Sequence, residues 1–520
     1  MCDCCKEKKE KFYITTPIYY PSDKLHIGHT YCTVATDAMA RYKRLRGYDV
    51  MFLTGTDEHG QKIENRAKEA GITPKQFVDQ IVEGERGVLD LWKLMNISYD
   101  RFIRTTDEYH VKAIQRIFKK MYENGDIYKG KYTGMYCTPC ESFWTESQLK
   151  DGKCPDCGRE VQPAEEEAYF FRLSKYAQPV RDLLMNTDYL QPRSRVNEMV
   201  RNFIDPGLED LCVSRTSFTW GIPVDFDPGH VVYVWVDALF NYTTALGFEN
   251  DAHHDYDRYW PADVHFVGKE IVRFHSIVDG GKMSKSKGNV VDPYLLAERY
   301  STDALRFFLL RSFPFGSDGN FSNELLISCI NTDLANDLGN LVSRTTAMVQ
   351  KYFGGRLPAE QRADDAQDAA LVELAGSLHE RYAAQMEQFA FQNALSEVFA
   401  VISRANKYID ETAPWILARD ESNLPRLACV MYNLLETIRI CGGLLQPFMP
   451  DTSAEILRRI GASENAGWDS LCKFGLLPRE AAVTVGAPLF PRIDAQKELA
   501  ELEALHVAAQ APAADPLPEP

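Results

Sequence analysis

The sequence has no long apolar run and no surplus of positive charge, and both absences narrow its possible roles. No apolar stretch approaches the ~20 residues that a membrane-spanning helix needs, and the N-terminus lacks the apolar core of a signal peptide. We therefore expect a cytoplasmic protein without a membrane partner. A formal net charge of -16 argues against non-specific coating of nucleic acid, although a local basic patch would still permit RNA binding.

The sequence also lacks an export signal, so its 13 cysteines are expected to be reduced thiols or metal ligands, not disulfides. Its 520 residues, 45% of them apolar and 25% charged, predict a globular protein. This length suits roughly two to four domains. Cys2, Cys4 and Cys5 lie in a lysine- and glutamate-rich leader that we expect to be disordered, and their spacing fits no common metal site.

The first pattern of chemical interest lies near the N-terminus. Residues 12–16 are β-branched and aromatic, which predicts a buried parallel strand that Pro17 then ends. His26-Ile27-Gly28-His29 opens a stretch to residue 46 whose apolar residues recur at helical spacing. A strand, a turn and a helix N-terminus form the place where α/β sheets bind phosphates, because free backbone N–H groups point at the ligand. For these four residues alone, an ordinary helix start with two surface histidines is the alternative.

A lysine-rich loop far along the chain supplies a second phosphate-binding pattern. Lys282-Met283-Ser284-Lys285-Ser286 follows a Gly-Gly pair and is typical of flexible loops that clamp a triphosphate. Between the two patterns, Asp57 follows a second predicted strand, residues 49–54, at the edge where ligands of such sheets sit. Asp57 is expected to pair with an amino group, to cap the helix predicted after it, or to do both.

Two C-x2-C pairs predict a structural zinc site. Cys137 and Cys140 are separated by 13 residues from Cys154 and Cys157. The two thiolates of each pair converge, and four thiolates complete a tetrahedral zinc ion with no open position. Disulfides are the alternative, which the absence of an export signal disfavours.

The C-terminal part of the sequence has a different hydrophobic pattern. Residues 320–480 lack strand alternation and predict a helical domain. Before it, strands are expected at residues 230–236 and 264–267, and after it a charged helix at 496–505 precedes an Ala/Pro tail that we expect to be disordered. The sequence thus indicates an α/β fold with a parallel sheet, a metal-binding insertion and a following all-helical domain.

Together, the H-x-G-H motif and the lysine loop resemble the signature pair of class I aminoacyl-tRNA synthetases. Within that class, the chain from about residue 12 to 505 resembles the methionyl-tRNA synthetase family. The segments that carry this likeness are 16–20, 55–60, 233–238, 318–322 and 406–411, with the four knuckle cysteines. The resemblance implies a Rossmann-like parallel-sheet catalytic domain with a zinc-knuckle insertion and a C-terminal α-helical anticodon-binding domain.

The resemblance also implies domain boundaries. These are a leader (1–11), the first half of the catalytic domain (12–125), the insertion with zinc knuckles (126–210), the second catalytic half (211–277), a lysine-loop and stem-contact region (278–325), the helical anticodon-binding domain (326–480) and a C-terminal helix and tail (481–520). Some members append a β-barrel module that binds tRNA and dimerises. Its absence before the Ala/Pro tail leads us to expect a monomer.

By this resemblance, the chain is expected to be a methionine–tRNA ligase. Methionine would attack the α-phosphorus of MgATP to give methionyl-adenylate and pyrophosphate, and the 3′ end of tRNA(Met) would then take the methionyl group. Neither step needs a covalent enzyme intermediate, so histidines and lysines that position substrates and stabilise charge suffice. The implied cofactors are one structural Zn²⁺ and the Mg²⁺ that accompanies ATP.

The family's site residues carry over position by position. His26 and His29 would contact ATP phosphates and stabilise the transition state, and Lys282 and Lys285 would bind the triphosphate. The further ATP contacts would be Gly28, Gly268 and Glu270, the last of which is usually Asp in relatives. The methionine site would comprise Ile18, Tyr20, Asp57, Trp235, Ala238, Tyr242 and His275, with Asp57 holding the α-amino group. The candidates for reading the anticodon are Asn393, Arg404 and Trp468, each equally open to a structural role.

One departure from the family lies between Ile277 and Val278. Relatives carry there a further crossover and a strand with a His-Gly pair near the adenine, whereas only six residues separate His275 from Lys282 here. A parallel crossover needs about a dozen residues. We therefore expect the sheet to lose a strand. A catalytically impaired, synthetase-like tRNA-binding protein is the rival hypothesis.

Other class I specificities fit less well. Leucine, isoleucine and valine enzymes carry a large editing insertion, for which 520 residues leave no room. A cysteine enzyme would be expected to hold zinc at its catalytic site to grip the substrate thiol, whereas the four cysteines here form a closed set. Methionine is therefore the predicted substrate.

Overall fold

The structure is a computed structural model that describes residues 9–137, 142–144, 149–154, 158–268, 292–313 and 321–510. These residues form two compact units. The first unit holds the described residues up to Thr36 and those from Tyr48 to Tyr294. The second holds Asp37–Gly47 and the described residues from Leu295 onward. The chain therefore enters the second unit twice.

A four-stranded parallel sheet forms the centre of the first unit. Its strands are β1 (Lys11–Tyr19), β2 (Asp49–Thr56), β3 (Arg101–Arg104) and β10 (Val264–His265), in the order β10-β1-β2-β3. The central strand β1 pairs with β2 on one side and with β10 on the other. The strand order reverses at β1, which makes its C-terminal end the place where such sheets bind ligands. The predicted parallel sheet is confirmed.

Proline does not end the first strand. Lys11–Tyr19 continues past Pro17, and the register with β2 shifts between Thr15 and Ile18. A proline lacks the N–H that a sheet ladder uses, and an irregularity in the register absorbs that loss. The expectation of a strand that stops at residue 16 was therefore wrong, and the strand carries three more residues towards the ligand-binding edge.

Helices connect and flank the parallel strands. They are Ile27–Leu45, Gln61–Glu69, Pro74–Val82, Val88–Leu94, Glu108–Glu123, Trp235–Leu239, Asn241–Thr244 and Tyr256–Tyr259. The chain breaks between the second and third of these helices. There the Thr73 hydroxyl accepts a hydrogen bond from the Gln76 backbone N–H, the Gln76 side-chain oxygen accepts one from the Thr73 backbone N–H, and Pro74 occupies the first helical turn.

An antiparallel sheet forms a separate layer of the first unit. It contains β4 (Ile127–Cys137), β5 (Ser142–Trp144), β6 (Gln162–Phe171) and β7 (Leu211–Cys212), in the order β5-β4-β6-β7. Two short strands, β8 (Ser214–Arg215) and β9 (Val231–Val232), form a further pair. The helical segments between these strands are Leu173–Tyr176, Ala177–Asn186, Arg193–Met199 and Val200–Ile204.

The strand expected at residues 230–236 is shorter than predicted. It ends at Val232, and Trp235–Leu239 is a helix. Between them Val234 adopts φ 42°, a left-handed conformation that a β-branched residue rarely occupies. The chain is thus turned sharply just before Trp235.

The rest of the described chain is helical, as predicted for residues 320–480. The helices are Pro293–Tyr300, Thr302–Ser312, Asn323–Cys329, Ile330–Gly339, Asn340–Phe353, Asp365–Gly376, Leu378–Met386, Phe391–Thr412, Pro414–Leu417, Glu421–Asn423, Leu424–Leu444, Pro450–Arg459, Ser463–Asn465, Trp468–Leu471 and Ala495–Gln510. The helix Ile330–Gly339 has π geometry and runs without a break into Asn340–Phe353.

The segment Glu421–Leu444 is long and apolar enough to cross a membrane by length and composition, with a mean hydropathy of 1.3. Its apolar window is entirely buried in the protein, so it is the core helix of the second unit. Glu436 and Arg439 on this helix are both fully buried and form an ion pair at 2.7 Å. The Glu436 carboxylate also accepts hydrogen bonds from the backbone N–H groups of residues 475–477.

A second fully buried ion pair joins the two chain segments of the second unit. The Arg306 guanidinium donates to the Asp37 carboxylate at 2.7 Å, and neither side chain is exposed. Arg306 also donates to the carbonyl oxygens of Pro447 and Phe448. Asp37 accepts a further bond from Arg41. The middle of the helix Ile27–Leu45 is thereby fixed to the core of the second unit.

Candidate active site

Two histidine rings meet at the N-terminus of the helix Ile27–Leu45. The ring centroids of His26 and His29 are 3.9 Å apart. The backbone N–H of His26 donates to His29 Nδ1 at 3.0 Å, and that of Gly28 donates to His26 Nδ1 at 3.1 Å. Because each Nδ1 accepts a hydrogen bond, each neutral ring carries its proton on Nε2. The motif therefore presents two imidazole N–H donors beside a helix N-terminus, a suitable site for phosphate oxygens.

The end of β1 supports this motif. Tyr19 packs edge-on against His29, with ring centroids 5.2 Å apart, and its hydroxyl lies 2.6 Å from the Thr33 hydroxyl. Tyr19 is buried. The strand and the first turns of the helix are thus held together by a buried side chain, which fixes the ring of His29.

The loop after β2 brings an acidic pair to the same edge of the sheet. Glu58 is fully buried and accepts two hydrogen bonds from the Arg104 guanidinium, at 2.6 and 3.0 Å. The hydroxyls of Thr56 and Thr106 complete its partners. Glu58 therefore anchors the loop. Asp57 beside it does not cap the following helix, whose N-cap is Gly60.

A buried carboxylate from the Trp235–Leu239 helix lies beside this loop. Asp237 contacts His59 Nδ1 at 2.7 Å with one oxygen and His110 Nε2 at 2.9 Å with the other. His110 Nδ1 in turn lies 2.7 Å from the Thr244 hydroxyl. Burial alone would raise the pKa of Asp237, but the two histidines outweigh it and lower that pKa to about 2. Asp237 is thus an anion fixed between two imidazole rings.

Several residues expected to contact methionine lie around an apolar cluster at the same edge. Ile18 packs against the cluster of buried residues that contains Tyr242, and Ala238 is buried nearby in sequence. The Tyr242 ring lies 4.5 Å from the ring of His265 on β10. Trp235 is half-buried. This apolar cluster includes residues of β1 and β2, and Asp57 directly follows β2.

Gly60 lies next to Tyr20, another expected methionine contact. Its φ of +119° is a conformation that favours glycine, and a Cβ there would lie 3.1 Å from the Tyr20 hydroxyl. The loop therefore approaches Tyr20 as closely as its backbone allows.

Most of the remaining site residues that the sequence predicts lie outside the part of the chain that the structure describes. Gly268 lies three residues beyond the end of β10. Lys282, Lys285, Glu270 and His275 lie outside the described residues, as do Cys140 and Cys157 and the junction between Ile277 and Val278. The roles inferred for them stay predictions.

The described half of the cysteine set fits a zinc site. Cys137 ends β4, and its register partner in the antiparallel pairing is Ser142, so the chain reverses directly after it. The backbone N–H of Cys154 donates to the Arg159 carbonyl, and the Gly158 N–H donates to the Cys154 carbonyl. Both cysteine side chains are buried, 0% and 1% exposed. Buried thiols from two C-x2-C pairs are what a closed zinc site requires.

One other group of potential ligands does not make a metal site. Glu167, Asp227 and His230 each offer an atom within 4.8 Å of the others. The Lys129 ammonium already bonds Glu167 at 2.6 Å and Asp227 at 2.8 Å. A lysine charge at this position supplies the cation that the two carboxylates need.

The helical unit places the anticodon candidates in different environments. Asn393 is exposed, whereas Arg404 pairs with Glu411 at 2.8 Å. Trp468 is half-buried, with the Arg46 guanidinium 4.6 Å from its ring centroid and the Tyr42 ring 5.9 Å away. One face of Trp468 is therefore already covered.

Trp415 is a residue that the sequence reasoning missed. It is 42% exposed, a large fraction for a tryptophan. Five residues before it, Asp410 pairs with Arg344 at 3.2 Å. A cavity of about 460 Å³ lies beside the same Asn340–Phe353 helix and is lined by Ala335, Asn336, Gly339, Asn340, Ser343, Pro488 and Phe490. The signal in the sequence was the tryptophan directly after a helix-starting Pro414.

Comparison with known proteins adds an independent line of support. A family profile described as tRNA synthetases class I (M) matches residues 12–166, 159–279 and 277–346. A second profile, the anticodon binding domain of methionyl tRNA ligase, matches residues 357–507. The division of the first match near residue 278 coincides with the departure noted in the sequence. The alignment with one relative spans 536 residues, more than this chain contains, so relatives hold residues without a counterpart here.

Curated relatives are similar over most of their length. The methionine–tRNA ligase of Caldanaerobacter subterraneus subsp. tengcongensis is 58% identical over 95% of this chain and 81% of its own. That of Clostridium perfringens is 56% identical over 98% of this chain and 82% of its own.

A solved structure is also similar. Mycobacterium tuberculosis methionyl-tRNA synthetase in complex with methionyl-adenylate superposes with a TM-score of 0.84 at 40% identity, covering 93% of this chain and 100% of that one. The same family is indicated by the parallel sheet with its histidine motif, the helical unit, both family profiles and these relatives. The chain belongs to the methionyl-tRNA synthetase family of class I tRNA synthetases.

Proposed function

We propose that this chain is a methionine–tRNA ligase, which activates L-methionine with ATP and transfers it to the 3′ end of tRNA(Met). The observation that carries the proposal is the paired imidazoles of His26 and His29 at the switch point of a parallel sheet, in a chain 58% identical to a methionine–tRNA ligase. Each neutral ring carries its proton on Nε2, beside a helix N-terminus of the kind that binds phosphate. The neighbouring apolar cluster and Asp57 suit the amino acid.

In the proposed first step, the histidine Nε2–H groups donate to ATP phosphate oxygens as the methionine carboxylate attacks. Charge develops on the pentavalent phosphorus, and donors already in place stabilise it without reorganisation. Asp57 holds the ammonium group, Trp235, Ala238 and Tyr242 contact the side chain, and Gly28, Gly268 and Glu270 lie near the nucleotide. Lys282 and Lys285 would bind the triphosphate, with Mg²⁺ accompanying ATP. Ile18, Tyr20 and His275 would complete the methionine pocket.

The experiment that tests this function is methionine-dependent ATP–pyrophosphate exchange on the full chain, with leucine and cysteine as control substrates. Exchange with methionine alone supports the proposal. The rival, a protein impaired by the short segment at Ile277, is not favoured by the close similarity to active ligases. It would be favoured by a folded, tRNA-binding sample that shows no exchange with methionine.

We also propose a single structural Zn²⁺ held by Cys137, Cys140, Cys154 and Cys157. Cys154→Ser should lower the zinc content from about one ion per chain to near zero, because a hydroxyl is a poor replacement for a thiolate ligand. Metal analysis of the purified variant measures this. Cys472→Ser, a half-buried cysteine of the helical unit, is the matched control and should retain the metal. Zinc at the wild-type level in Cys154→Ser would rule out the site.

We propose that the helical unit reads the anticodon, with Asn393, Arg404 and Trp468 as the candidates from the sequence and Trp415 as the candidate from the structure. The 42% exposure of Trp415 favours it, since unstacked bases bind on open aromatic faces. The cavity lined by Asn336, Asn340 and Phe490 offers amide groups and a second ring for a neighbouring base.

Trp415→Ala should therefore weaken tRNA(Met) binding by about 1–3 kcal/mol, the range of one base–aromatic stack, and leave pyrophosphate exchange unchanged. Filter binding or fluorescence titration measures the affinity. Ile416→Ala is the matched control because Ile416 is the next residue and is 55% exposed. Weaker binding in Trp468→Ala with no change in Trp415→Ala would assign the base contact to Trp468 instead.

We further propose a cytoplasmic location and a monomeric state. Sedimentation of the purified chain at several concentrations tests the oligomeric state.

A further inference from the structure

Three carboxylates meet at the edge of the sheet, and two of them already have cationic partners. Glu58 is held by Arg104, and Asp237 is held between His59 and His110. Among the described residues, no donor reaches the Asp57 carboxylate within hydrogen-bond distance; only its backbone N–H is engaged, with the Tyr19 carbonyl. Asp57 is thus the carboxylate available to a ligand.

Because no hydrogen-bond donor among the described residues reaches the Asp57 carboxylate, its negative charge depends on burial and on the neighbouring charges. Burial raises the pKa of Asp57 well above its ordinary value, and the negative charges of Asp237 and Glu58 raise it further. A protonated Asp57 would not hold an ammonium group. The site therefore needs a nearby cation to keep the carboxylate charged at neutral pH.

His59 is placed to supply that cation. Its Nδ1 lies 2.7 Å from Asp237, and its ring stacks at a tilt against Trp220, with centroids 5.5 Å apart. Burial by itself would lower the pKa of His59, but Asp237, Asp57 and Glu58 outweigh it and raise that pKa above its ordinary value. Its positive charge in turn lowers the pKa of Asp57.

We propose that His59 is a positioning residue whose positive charge, fixed by Asp237, keeps Asp57 ionised to receive the ammonium group of the amino-acid substrate. This inference rests on the proposed function through the role of Asp57. His59 does not touch the substrate in this scheme. It acts through the electric field at Asp57, and Asp237 with His110 holds its ring in place.

The groups that face this pair come from four elements. They are Glu58 on the same loop, Asp237 on the Trp235–Leu239 helix, His110 on the Glu108–Glu123 helix and Tyr20 after β1, which interacts electrostatically with Asp57. Arg104 balances the charge of Glu58. Among these groups, His59 is the one whose charge lowers the pKa of Asp57.

The sign of the expected pH effect follows directly. In the wild-type chain, His59 is cationic below its raised pKa, and its charge holds the pKa of Asp57 lower than burial and the neighbouring carboxylates alone would set it. In His59→Asn, the amide still donates to Asp237 from the Nδ1 position but carries no charge. The pKa of Asp57 should then rise, and Asp57 should take up a proton at pH values where the wild-type residue is charged. As the pH falls, methionine binding should therefore weaken at a higher pH in the variant than in the wild type.

The test is the pH dependence of pyrophosphate exchange in the full chain, wild type against His59→Asn. The acidic limb of kcat/KM for methionine should move to higher pH by about one unit, equivalent to a roughly tenfold lower kcat/KM for methionine at pH values below the limb. The value should return towards that of the wild type at higher pH. The KM for ATP should not change. A residue with only a structural role would change both KM values at every pH.

His254→Gln is the control, because His254 is an exposed histidine of the same unit. Its pH profile should equal that of the wild type. An unchanged profile in His59→Asn, with active exchange in the wild type, would overturn the inference and leave the proposed function intact.

A binding measurement further distinguishes a failure of this inference from a failure of the proposed function. Calorimetry with L-methioninol, which has the ammonium group but no carboxylate, reports on Asp57 without turnover. Weaker binding by His59→Asn at pH 7 that recovers at higher pH supports the inference even in a chain that shows no exchange. Identical binding curves for the two proteins, or no binding by the wild type, would overturn it.

Discussion

Replacing His29 with alanine should lower the rate of methionine-dependent pyrophosphate exchange by about 10²–10³-fold, the loss typical of one preorganised donor to a developing charge. His29 Nδ1 is engaged by the His26 backbone N–H, which leaves Nε2 as the donor. Alanine removes that donor and also the ring against which Tyr19 packs. The helix should persist, because alanine is a strong helix former.

The effect should be on kcat more than on the KM for methionine, since the interaction is expected to strengthen in the transition state. Steady-state exchange kinetics at saturating ATP measure both parameters. His254→Ala removes an exposed histidine of the same unit and is the matched control, with an expected rate equal to that of the wild type. A His29→Ala enzyme within threefold of the wild type would show that the imidazole pair does not stabilise the reaction.

Replacing Arg439 with methionine should destabilise the helical unit by about 3–5 kcal/mol, the range found when one partner of a buried ion pair is removed. Arg439 and Glu436 are both 0% exposed. Without the guanidinium, the Glu436 carboxylate would remain buried with only backbone N–H partners. The carbonyl oxygens of Asn465, Ser470 and Lys473 would each lose the hydrogen bond that the guanidinium donates.

Denaturant unfolding of the full chain, monitored by hydrogen exchange of the helix Leu424–Leu444, measures this loss of stability within the helical unit. The same helical unit offers a matched control at identical spacing. Glu455 and Arg458 pair at 2.7 Å, but the arginine side chain is 55% exposed. Arg458→Met should therefore cost at most about 1 kcal/mol. Equal effects of the two variants would mean that burial does not set the strength of these pairs.

The sequence predicted the parts of this fold that local patterns determine. The helix after His26, the parallel sheet and the helical C-terminal unit all follow from apolar periodicity, and the structure confirms them. The position of the histidine motif at a helix N-terminus was also predicted, and the helix Ile27–Leu45 confirms it. The elements that depend on local pattern were therefore predicted with few errors.

The errors arose where tertiary contacts override local preference. Pro17 predicted a strand end, but the sheet tolerates it at a register shift. The aromatic run to Trp235 predicted a strand, but the chain turns at Val234 and becomes helical so that Asp237 reaches His59. That contact joins residues 178 positions apart, and nothing in either segment alone indicates the partner. The charge balance at Asp57 therefore could not be derived from the sequence.

The ion pair between Asp37 and Arg306 means that the helical unit is not a detachable module. A fragment that began at residue 295 would keep Arg306 and its carbonyl partners but would lose the carboxylate that neutralises it. A buried, uncompensated guanidinium would cost such a fragment about 3–5 kcal/mol. Recombination that exchanged this unit between relatives would have to carry residues 37–47 with it, and therefore part of the helix that begins at the histidine motif.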